Sequence, residues 1–179
     1  MRSQRSQVPE AVAKRASEQV ALHLARLPEW QSAETVASYF ATRGEFDPGV
    51  VAGESHAQGK TVVYPRVLGP GAMAFYKWQP GDPLQPNSFG IPEPLAEAEP
   101  VPAQDINFFM VPLLACDRSG ARLGYGGGFY DRLLNQSEGF RCGVGYNQQY
   151  VAQLPRESHD QRLEAFISES GLIRFNRVG

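Results

Sequence analysis

The sequence predicts an α/β fold with a mostly parallel central sheet and helices on both of its faces. Strand-like and helix-like segments alternate along most of the chain, which is the pattern of strand–helix–strand units. The most apolar run, 106–112, has the near-continuous hydrophobicity of a strand buried on both faces. A glycine-rich segment follows that run, at the end of a strand where open α/β sheets bind their ligands.

The first half of the chain opens with a helical pattern. Apolar residues recur at helical spacing across 9–27, and Pro9 suits a first helical turn. The β-branched and aromatic run 35–41 predicts a short strand. Asp47 followed by a proline is typical of a helix start, so a second helix is expected to run to about residue 58.

Two further strands and a long irregular segment are predicted next. The runs 60–65 and 73–78 read as strands, and we expect Pro65 to end the first of them. The segment 80–102 is rich in proline and acidic residues and has no periodicity. Because both flanks read as parts of one sheet, we interpret it as a long functional loop covering a site, with an interdomain linker as the alternative.

The second half predicts one more helix and two more strands. After the buried strand 106–112 and the glycine-rich segment, we expect a helix over 129–135 and strands over 140–146 and 163–168. The length of 179 residues suits one domain, 1–179, and a 42% hydrophobic content is sufficient for a core without disulfides or metals to stabilise it.

Composition excludes several classes of partner. A formal net charge of -2 leaves no broad electrostatic footprint for nucleic acid, and no apolar run is long enough to span a membrane. Cys116 and Cys142 lie in apolar strand-like runs, so buried free thiols are favoured over a disulfide. We therefore expect a cytoplasmic protein.

The segment 122–132 carries the chemistry. Four of the five residues 124–128 are glycine, so successive backbone N–H groups can curl into an anion-binding nest, reinforced by the start of the following helix. The spacing does not fit the G-x-G-x-x-G dinucleotide motif, which requires glycine where Phe129 stands. It does not fit the P-loop either, because Phe129 and Tyr130 replace the lysine and the hydroxyl residue. Phosphate binding is favoured over a tight turn that needs glycine for its geometry alone.

At this segment the sequence resembles the 5-formyltetrahydrofolate cyclo-ligase family. The resemblance rests on Asp-x-x-Gly-x-Arg-Leu-Gly, the glycine loop and the aromatic-Tyr-Asp turn, all within 111–131. Supporting matches are spread over most of the chain: Gly44-Glu45, Tyr64-Pro65-Arg66, Gly90-Ile91-Pro92-Glu93-Pro94, Val144-Gly145-Tyr146, Leu154-Pro155 and His159-Asp160.

The resemblance implies a fold, a reaction and two cofactors. The family fold is a three-layer α/β sandwich similar to phosphosugar isomerases and CoA transferases. The implied reaction uses ATP and Mg²⁺ to convert 5-formyltetrahydrofolate to 5,10-methenyltetrahydrofolate, releasing ADP and phosphate. The small-molecule folate is the implied partner, and no covalent protein nucleophile is required.

The resemblance also implies residue roles. The ATP-binding residues are Arg122, Leu123, Gly124, Tyr125, Gly126, Gly127, Gly128, Phe129 and Tyr130. The substrate-binding residues are Phe40, Glu45 and Tyr130, and the magnesium ligands are Asp131 and Asp160.

Each residue role has an alternative when the residue is taken alone. Glu45 also fits a solvated turn residue, Asp160 a cap, and Phe40 an ordinary core residue. Arg66 is compatible with a phosphate contact or a surface ion pair, and Phe89 with stacking on substrate or with packing. The carboxylate in the first turn of the last helix likewise fits a cap or a metal ligand.

The sequence departs from the family pattern at two places. Family members usually start with a longer basic helix, whereas here only Arg2 and Arg5 could take the place of its basic residues. The family loop also often carries a lysine where this chain has Gly127. Weakened nucleotide binding is therefore one expectation, and a catalytically silent nucleotide- or folate-binding relative is an alternative function. A sugar-phosphate isomerase or CoA-transferase relative is a further one, which requires a catalytic Glu or Lys near the loop.

Overall fold

The computed structural model describes residues 8–42, 44–155 and 161–176. Within those residues the helices are α1 (Glu10–Leu24), α2 (Pro28–Ser32), α3 (Gly49–Ala57) and α4 (Phe129–Leu134). The strands are β1 (Thr35–Ala37), β2 (Thr61–Gly69), β3 (Ala72–Lys77), β4 (Leu84–Pro86), β5 (Pro92–Pro94), β6 (Pro100–Val101), β7 (Phe108–Val111), β8 (Ala115–Asp117), β9 (Arg122–Leu123), β10 (Phe140–Val144), β11 (Tyr150–Val151), β12 (Ala165–Ser168) and β13 (Gly171–Arg174).

The central sheet is mostly parallel, as the sequence predicts. Its eight strands are ordered β13-β12-β10-β7-β1-β2-β3-β6, and the five from β12 to β2 are parallel. The strands at the two edges, β13 on one side and β3 with β6 on the other, pair antiparallel. Strand β7 lies between two parallel neighbours with all four residues buried, which confirms it as a central strand.

The two faces of the sheet carry separate cores, because side chains alternate along each strand. Phe108 and Met110 of β7 pack on the face covered by α1, α2 and α3, whereas Phe109 and Val111 pack on the other face with α4. A second sheet, ordered β11-β8-β9, also packs on that second face, through Cys116. Helices therefore cover both faces, which confirms the predicted three-layer α/β class.

The prediction that Pro65 ends its strand is wrong. Strand β2 continues to Gly69, and Pro65 pairs with Phe75 of β3. Strand β1 ends at Ala37, opposite Val63, so β2 has a ladder partner on one side only beyond that point. A residue without an N–H is tolerated there, as it is in edge strands.

The segment 80–102 contains more structure than its composition predicts. Strands β4 and β5 form a hairpin within it, and β6 adds an edge strand to the central sheet beside β3. Its flanking strands β3 and β7 both belong to the central sheet, which confirms that the segment connects parts of one sheet.

Cys116 and Cys142 are both buried and free, as predicted. Burial raises the pKa of the Cys116 thiol to about 12 and also raises that of Cys142, so neither is a reactive thiolate near neutral pH. No helix within the described residues has the length and apolarity that crossing a bilayer demands.

Candidate active site

The candidate site lies where the direction of strand addition reverses. From β1 the chain first adds β2 on one side, and later adds β7, β10 and β12 on the other. In open parallel sheets this switch point, here between β1 and β7, leaves a crevice at the carboxyl ends of the strands. The segments that follow β1 and β7 carry nearly all the residues that the sequence nominates.

The glycine loop, residues 124–128, joins β9 to α4 in a conformation that needs glycine. Gly126 and Gly128 have φ values of 93° and 64°, which side-chain-bearing residues rarely adopt. A Cβ at Gly127 would lie 2.7 Å from the ring of Phe129. Among the described residues, no acceptor bonds the backbone N–H groups of Gly126, Gly127 and Gly128. The loop thus presents consecutive unpaired donors, the arrangement of an anion-binding nest.

Arg122 lies beneath this loop and is almost fully buried, with 6% of its side chain exposed. Its guanidinium pairs with Asp131 at 3.2 Å, donates to the carbonyl of Pro112 at 3.3 Å and lies 5.7 Å from the centre of the Tyr130 ring. Its Nε is buried and has no protein acceptor within the described residues. A buried cationic donor without a partner is costly, so an anionic ligand at this position is favoured.

Asp131 connects Arg122 to the segment that carries Asp160. Its Oδ2 faces Arg122 and its Oδ1 accepts the backbone N–H of Gln161 at 3.3 Å. Asp160 itself lies outside the described residues, but Gln161 is the next residue in the chain. This hydrogen bond joins Asp131 to the residue that directly follows the second predicted magnesium ligand in the sequence.

The donor chemistry fits a magnesium ion that arrives with phosphate. The described residues contain no group of three or more His, Cys, Asp or Glu side chains that could enclose a metal. Mg²⁺ usually binds through one or two carboxylates together with phosphate oxygens and waters, so a three-carboxylate cage is not required. Asp131, half-buried and beside the glycine loop, is such a carboxylate.

The negative charge of Glu45 acts on two tyrosine hydroxyls. Burial raises the pKa of Tyr130, and the charge of Glu45 raises it further. The same two causes raise the pKa of Tyr39, whose hydroxyl donates to the carbonyl of Phe46 at 2.8 Å. The hydroxyl of Tyr130 is buried and has no protein partner among the described residues.

Part of the Glu45 carboxylate is used within its own turn. Its Oε2 accepts the backbone N–H of Thr42 at 2.9 Å, and the Glu45 N–H donates to the Thr42 carbonyl at 3.0 Å. These bonds agree with a role of Glu45 within its turn, but the residue is half-buried and not a solvated one. One carboxylate oxygen, Oε1, accepts no hydrogen bond within the described residues and is available to a ligand.

Phe40 belongs to an aromatic cluster that the sequence did not predict. Its ring stacks on Tyr64 with centroids 4.4 Å apart, and Trp78 meets both rings edge-on at 5.2 Å. Tyr64 directly follows Val63, the last residue of β2 that pairs with β1, so it lies at the carboxyl end of the parallel part of β2. That position, beside the switch point, was the signal from which this cluster could have been predicted. Phe40 remains half-buried, which leaves part of its surface for a planar ligand.

Arg66 is occupied by the β4–β5 hairpin. Its guanidinium donates to the carbonyl of Pro94 at 2.7 Å and lies 3.8 Å from Oε2 of the buried Glu93. These contacts favour the ion-pair interpretation of Arg66 over a phosphate contact. Phe89, in the turn between β4 and β5, is 57% exposed, so its interpretation as a packing residue is wrong.

Comparisons with known proteins agree on one family. The family model described as the 5-formyltetrahydrofolate cyclo-ligase family matches residues 1–169. The 5-formyltetrahydrofolate cyclo-ligase of Haemophilus influenzae is 36% identical over 152 residues, which cover 81% of this chain and 81% of that protein. The protein of the same name from Escherichia coli K12 is 33% identical over 160 residues, covering 86% of this chain and 87% of the other.

Solved structures agree with the sequence comparisons. The NMR structure of Aquifex aeolicus 5,10-methenyltetrahydrofolate synthetase superposes with a TM-score of 0.86 at 35% identity, covering 99% of this chain and 90% of that one. The 5,10-methenyltetrahydrofolate synthetase of Mycoplasma pneumoniae gives a TM-score of 0.76 at 19% identity, covering 94% and 93%. The second likeness supports the fold alone.

Proposed function

The chain belongs to the 5-formyltetrahydrofolate cyclo-ligase family, and from that premise we propose that it converts 5-formyltetrahydrofolate to 5,10-methenyltetrahydrofolate with ATP, releasing ADP and phosphate. The observation that carries this proposal is the glycine loop with unpaired N–H groups above the buried Arg122, at the switch point of the sheet. That arrangement supports the binding of a polyphosphate beside a crevice lined with aromatic rings.

The chemistry needs ATP because the formyl group on N5 is an amide carbon, which is a poor electrophile. Transfer of the terminal phosphoryl group to the formyl oxygen converts that oxygen into a good leaving group. The lone pair of N10 then attacks the formyl carbon, the C–O bond breaks, phosphate departs, and the N10 proton is lost to solvent. Catalysis of this kind depends on positioning and charge stabilisation, so a covalent protein nucleophile is not needed.

The residues divide into a phosphate side and a folate side. The N–H groups of the glycine loop and the guanidinium of Arg122 would hold the phosphates, as donors to anionic oxygens. Tyr130 and Phe40 would line the flat ring system, and Glu45 would accept hydrogen bonds from the amino-pyrimidine edge of the pterin.

Asp131 and Asp160 would hold Mg²⁺ on the phosphate side. When bound, the ion would neutralise negative charge on the phosphate oxygens. The protein's own part is to hold Asp131 in place through Arg122 and the N–H of Gln161. Because Arg122 also pairs with Asp131, a bound cation would share that carboxylate with the guanidinium, so nucleotide and metal binding are expected to depend on each other.

A direct assay tests the proposal. Purified protein is mixed with 5-formyltetrahydrofolate and Mg²⁺, and the near-ultraviolet absorbance of the methenyl product is followed before and after addition of ATP. A rise that requires ATP supports the proposed reaction. No rise, together with ATP binding by calorimetry, identifies a catalytically silent relative; no rise and no ATP binding refutes the assignment.

We also propose that the protein works in the cytoplasm as one catalytic domain. Two buried, unpaired cysteines are the pattern of a reducing compartment. Thiol labelling of the unfolded protein taken from cells, with no reducing agent present, tests this: both cysteines are expected to react, and a protected pair would contradict the proposal.

A further inference from the structure

The side chain of Arg132 holds one carbonyl group of the glycine loop. Its Nη1 donates to the carbonyl of Gly127 at 2.9 Å. The same Nη1 reaches the carbonyl of Gly71, in the turn between β2 and β3, at 3.3 Å. This side chain therefore ties the loop to a turn of the central sheet, whereas the Gly128 carbonyl accepts the backbone N–H of Arg132 at 3.2 Å as part of the first turn of α4.

The contact of Nη1 with the Gly127 carbonyl decides which way the next N–H group points. In a planar trans peptide the C=O and the following N–H point in opposite directions, and none of the described peptide bonds is cis. Since the carbonyl of Gly127 faces the Arg132 guanidinium, the N–H of Gly128 points to the opposite side. That side is the one on which the Gly128 N–H has no protein acceptor within the described residues.

The structure makes room for the guanidinium by means of two glycines. A Cβ at Gly71 would lie 2.6 Å from Nη1 of Arg132, and a Cβ at Gly128 would lie 3.1 Å from it. Both glycines also have positive φ values, 69° and 64°. The guanidinium thus occupies a site between the loop and the β2–β3 turn that any side chain at Gly71 would obstruct.

Arg132 also brings a charge that has no carboxylate partner among the described residues. Within 8–42, 44–155 and 161–176 no ion pair includes it, whereas Arg122 pairs with Asp131. An arginine remains protonated at any working pH. Of the two guanidinium groups at the loop, only that of Arg122 therefore has a carboxylate partner in the part of the chain that the structure describes.

We propose that Arg132 is a positioning residue for nucleotide binding, which it supports by holding the Gly127 carbonyl away from the phosphates and hence the Gly128 N–H toward them. The inference rests on the proposed function of the glycine loop as a phosphate site. It predicts that ATP binding depends on the directional hydrogen bonds of Arg132 and not on its charge alone, and that folate binding does not depend on Arg132.

Calorimetric titration with ATP and Mg²⁺ tests the proposal on Arg132→Gln, Arg132→Lys and the control Arg26→Gln, which removes an exposed arginine outside the site. We expect Kd for ATP to rise about tenfold or more in Arg132→Gln. Arg132→Lys keeps the charge but not the fork geometry of the guanidinium, and its Kd for ATP is expected to rise by at least about threefold. The Kd of Arg26→Gln should stay within about twofold of the wild-type value. A wild-type Kd in Arg132→Gln overturns the proposal. A wild-type Kd in Arg132→Lys, with a raised Kd in Arg132→Gln, would mean that only the charge of Arg132 matters and not its directional hydrogen bonds.

A second pair of variants tests the position of the Arg132 side chain without substituting Arg132 itself. Gly71→Ala places a methyl group against Nη1, whereas Gly59→Ala strains a glycine of similar φ, 77°, that has no atom within 4 Å of its Cβ position. Gly71→Ala should raise the KM for ATP several-fold and leave the KM for 5-formyltetrahydrofolate within about twofold. Gly59→Ala should leave both unchanged. Equal effects of the two variants, or equal effects on both substrates, would mean that Arg132 serves only stability.

The outcomes separate this proposal from the proposed function. If the wild-type protein binds ATP but makes no methenyl product, the proposed reaction fails while the calorimetric comparison still decides the role of Arg132. If the wild type turns over and Arg132→Gln binds ATP normally, only the positioning role fails. If the wild type binds no ATP, both fail together.

Discussion

The β8–β9 turn, residues 118–121, and the glycine loop that follows β9 are neighbours of similar length, yet they use their backbone donors in opposite ways. In the turn, Oδ1 of Asp117 accepts from the N–H and hydroxyl of Ser119 and from the N–H of Ala121, while Oδ2 accepts the N–H of Leu154 at 2.9 Å. In the loop, the N–H groups of Gly126 to Gly128 find no acceptor among the described residues.

The difference separates a structural aspartate from the proposed magnesium ligand. Asp117 is 1% exposed, and its carboxylate oxygens are occupied by the turn, which fixes the start of β9 and hence Arg122. Asp131, at the far end of the loop, is half-buried and within the described residues has two contacts, with Arg122 and Gln161. A segment that satisfies its own donors stabilises the fold, whereas one that leaves them open is built to receive a ligand.

The largest effect is expected for Asp131→Asn, which keeps the size of the side chain but removes the charge that would hold Mg²⁺. We expect kcat/KM to fall on the order of 100-fold and the Mg²⁺ concentration for half-maximal rate to rise. The assay is product absorbance across a Mg²⁺ titration. Asp105→Asn, at an exposed aspartate, is the matched control and should keep the wild-type rate. Activity within a few-fold of wild type in Asp131→Asn would remove the distinction drawn between the two aspartates.

Asp117→Ala should act on stability first. Removing a buried acceptor of four donors is expected to lower the free energy of unfolding by about 2–4 kcal/mol. Urea denaturation of the wild type and the variant measures the difference. Any loss of ATP binding should follow the loss of folded protein, so nucleotide affinity falling while stability is kept would contradict the structural assignment.

The same residue predicts a pH dependence. Burial acts to raise the pKa of Asp117, but the hydrogen bonds from Ser119, Leu154 and Ala121 outweigh it and lower the pKa below its ordinary value. A lowered folded-state pKa stabilises the protein above the unfolded pKa, about 3.9, and that contribution is lost as pH falls through the folded pKa. The stability gap between the wild type and Asp117→Asn should therefore be full near neutrality and shrink below about pH 4; a constant gap would be inconsistent with this assignment.

Glu45→Gln tests a turn that resembles both the β8–β9 turn and the glycine loop, because one oxygen of Glu45 is bonded within the turn and the other accepts no hydrogen bond within the described residues. Glutamine can still accept the N–H of Thr42, so the turn should persist, but the charge offered to the pterin is lost. We expect the KM for 5-formyltetrahydrofolate to rise about tenfold with the KM for ATP nearly unchanged. Steady-state kinetics in both substrates measure this, with the exposed Glu54→Gln as control. An equal rise in both KM values would place Glu45 outside the folate side.

The smallest effect is expected at Glu29→Gln, away from both regions. Arg174 of β13 meets Glu29 of α2 through two bonds of 2.8 Å, but both side chains are partly exposed. An exposed ion pair of this kind contributes about 0.5 kcal/mol, and less at high salt. Thermal denaturation at two salt concentrations should show this small, screened loss with unchanged activity; a loss of several kcal/mol would mean that the β13 edge matters more to the fold than the loop region does.

The sequence was informative where a signal is local or strongly periodic. The helix at 10–24, the buried strand β7 and the glycine loop were all predictable, because apolar spacing and glycine content depend on neighbouring residues only. The short strands β4, β5, β6, β8, β9, β11 and β13 were missed. Elements of two to four residues show too little periodicity to be recognised, and their pairing depends on distant partners.

The sequence by itself determined the α/β class, the family and the list of residues suited to phosphate, folate and magnesium. Only the tertiary structure decided how those residues are used, since hydrogen bonds between distant segments assign each donor and acceptor. Arg66, equivocal in sequence, is bound by the hairpin; Arg122 is buried against Asp131; and Arg132 holds the Gly127 carbonyl. The chemistry of a side chain is a local property, but tertiary packing decides which partner a charged group pairs with. The polar groups that packing leaves without a partner indicate the site.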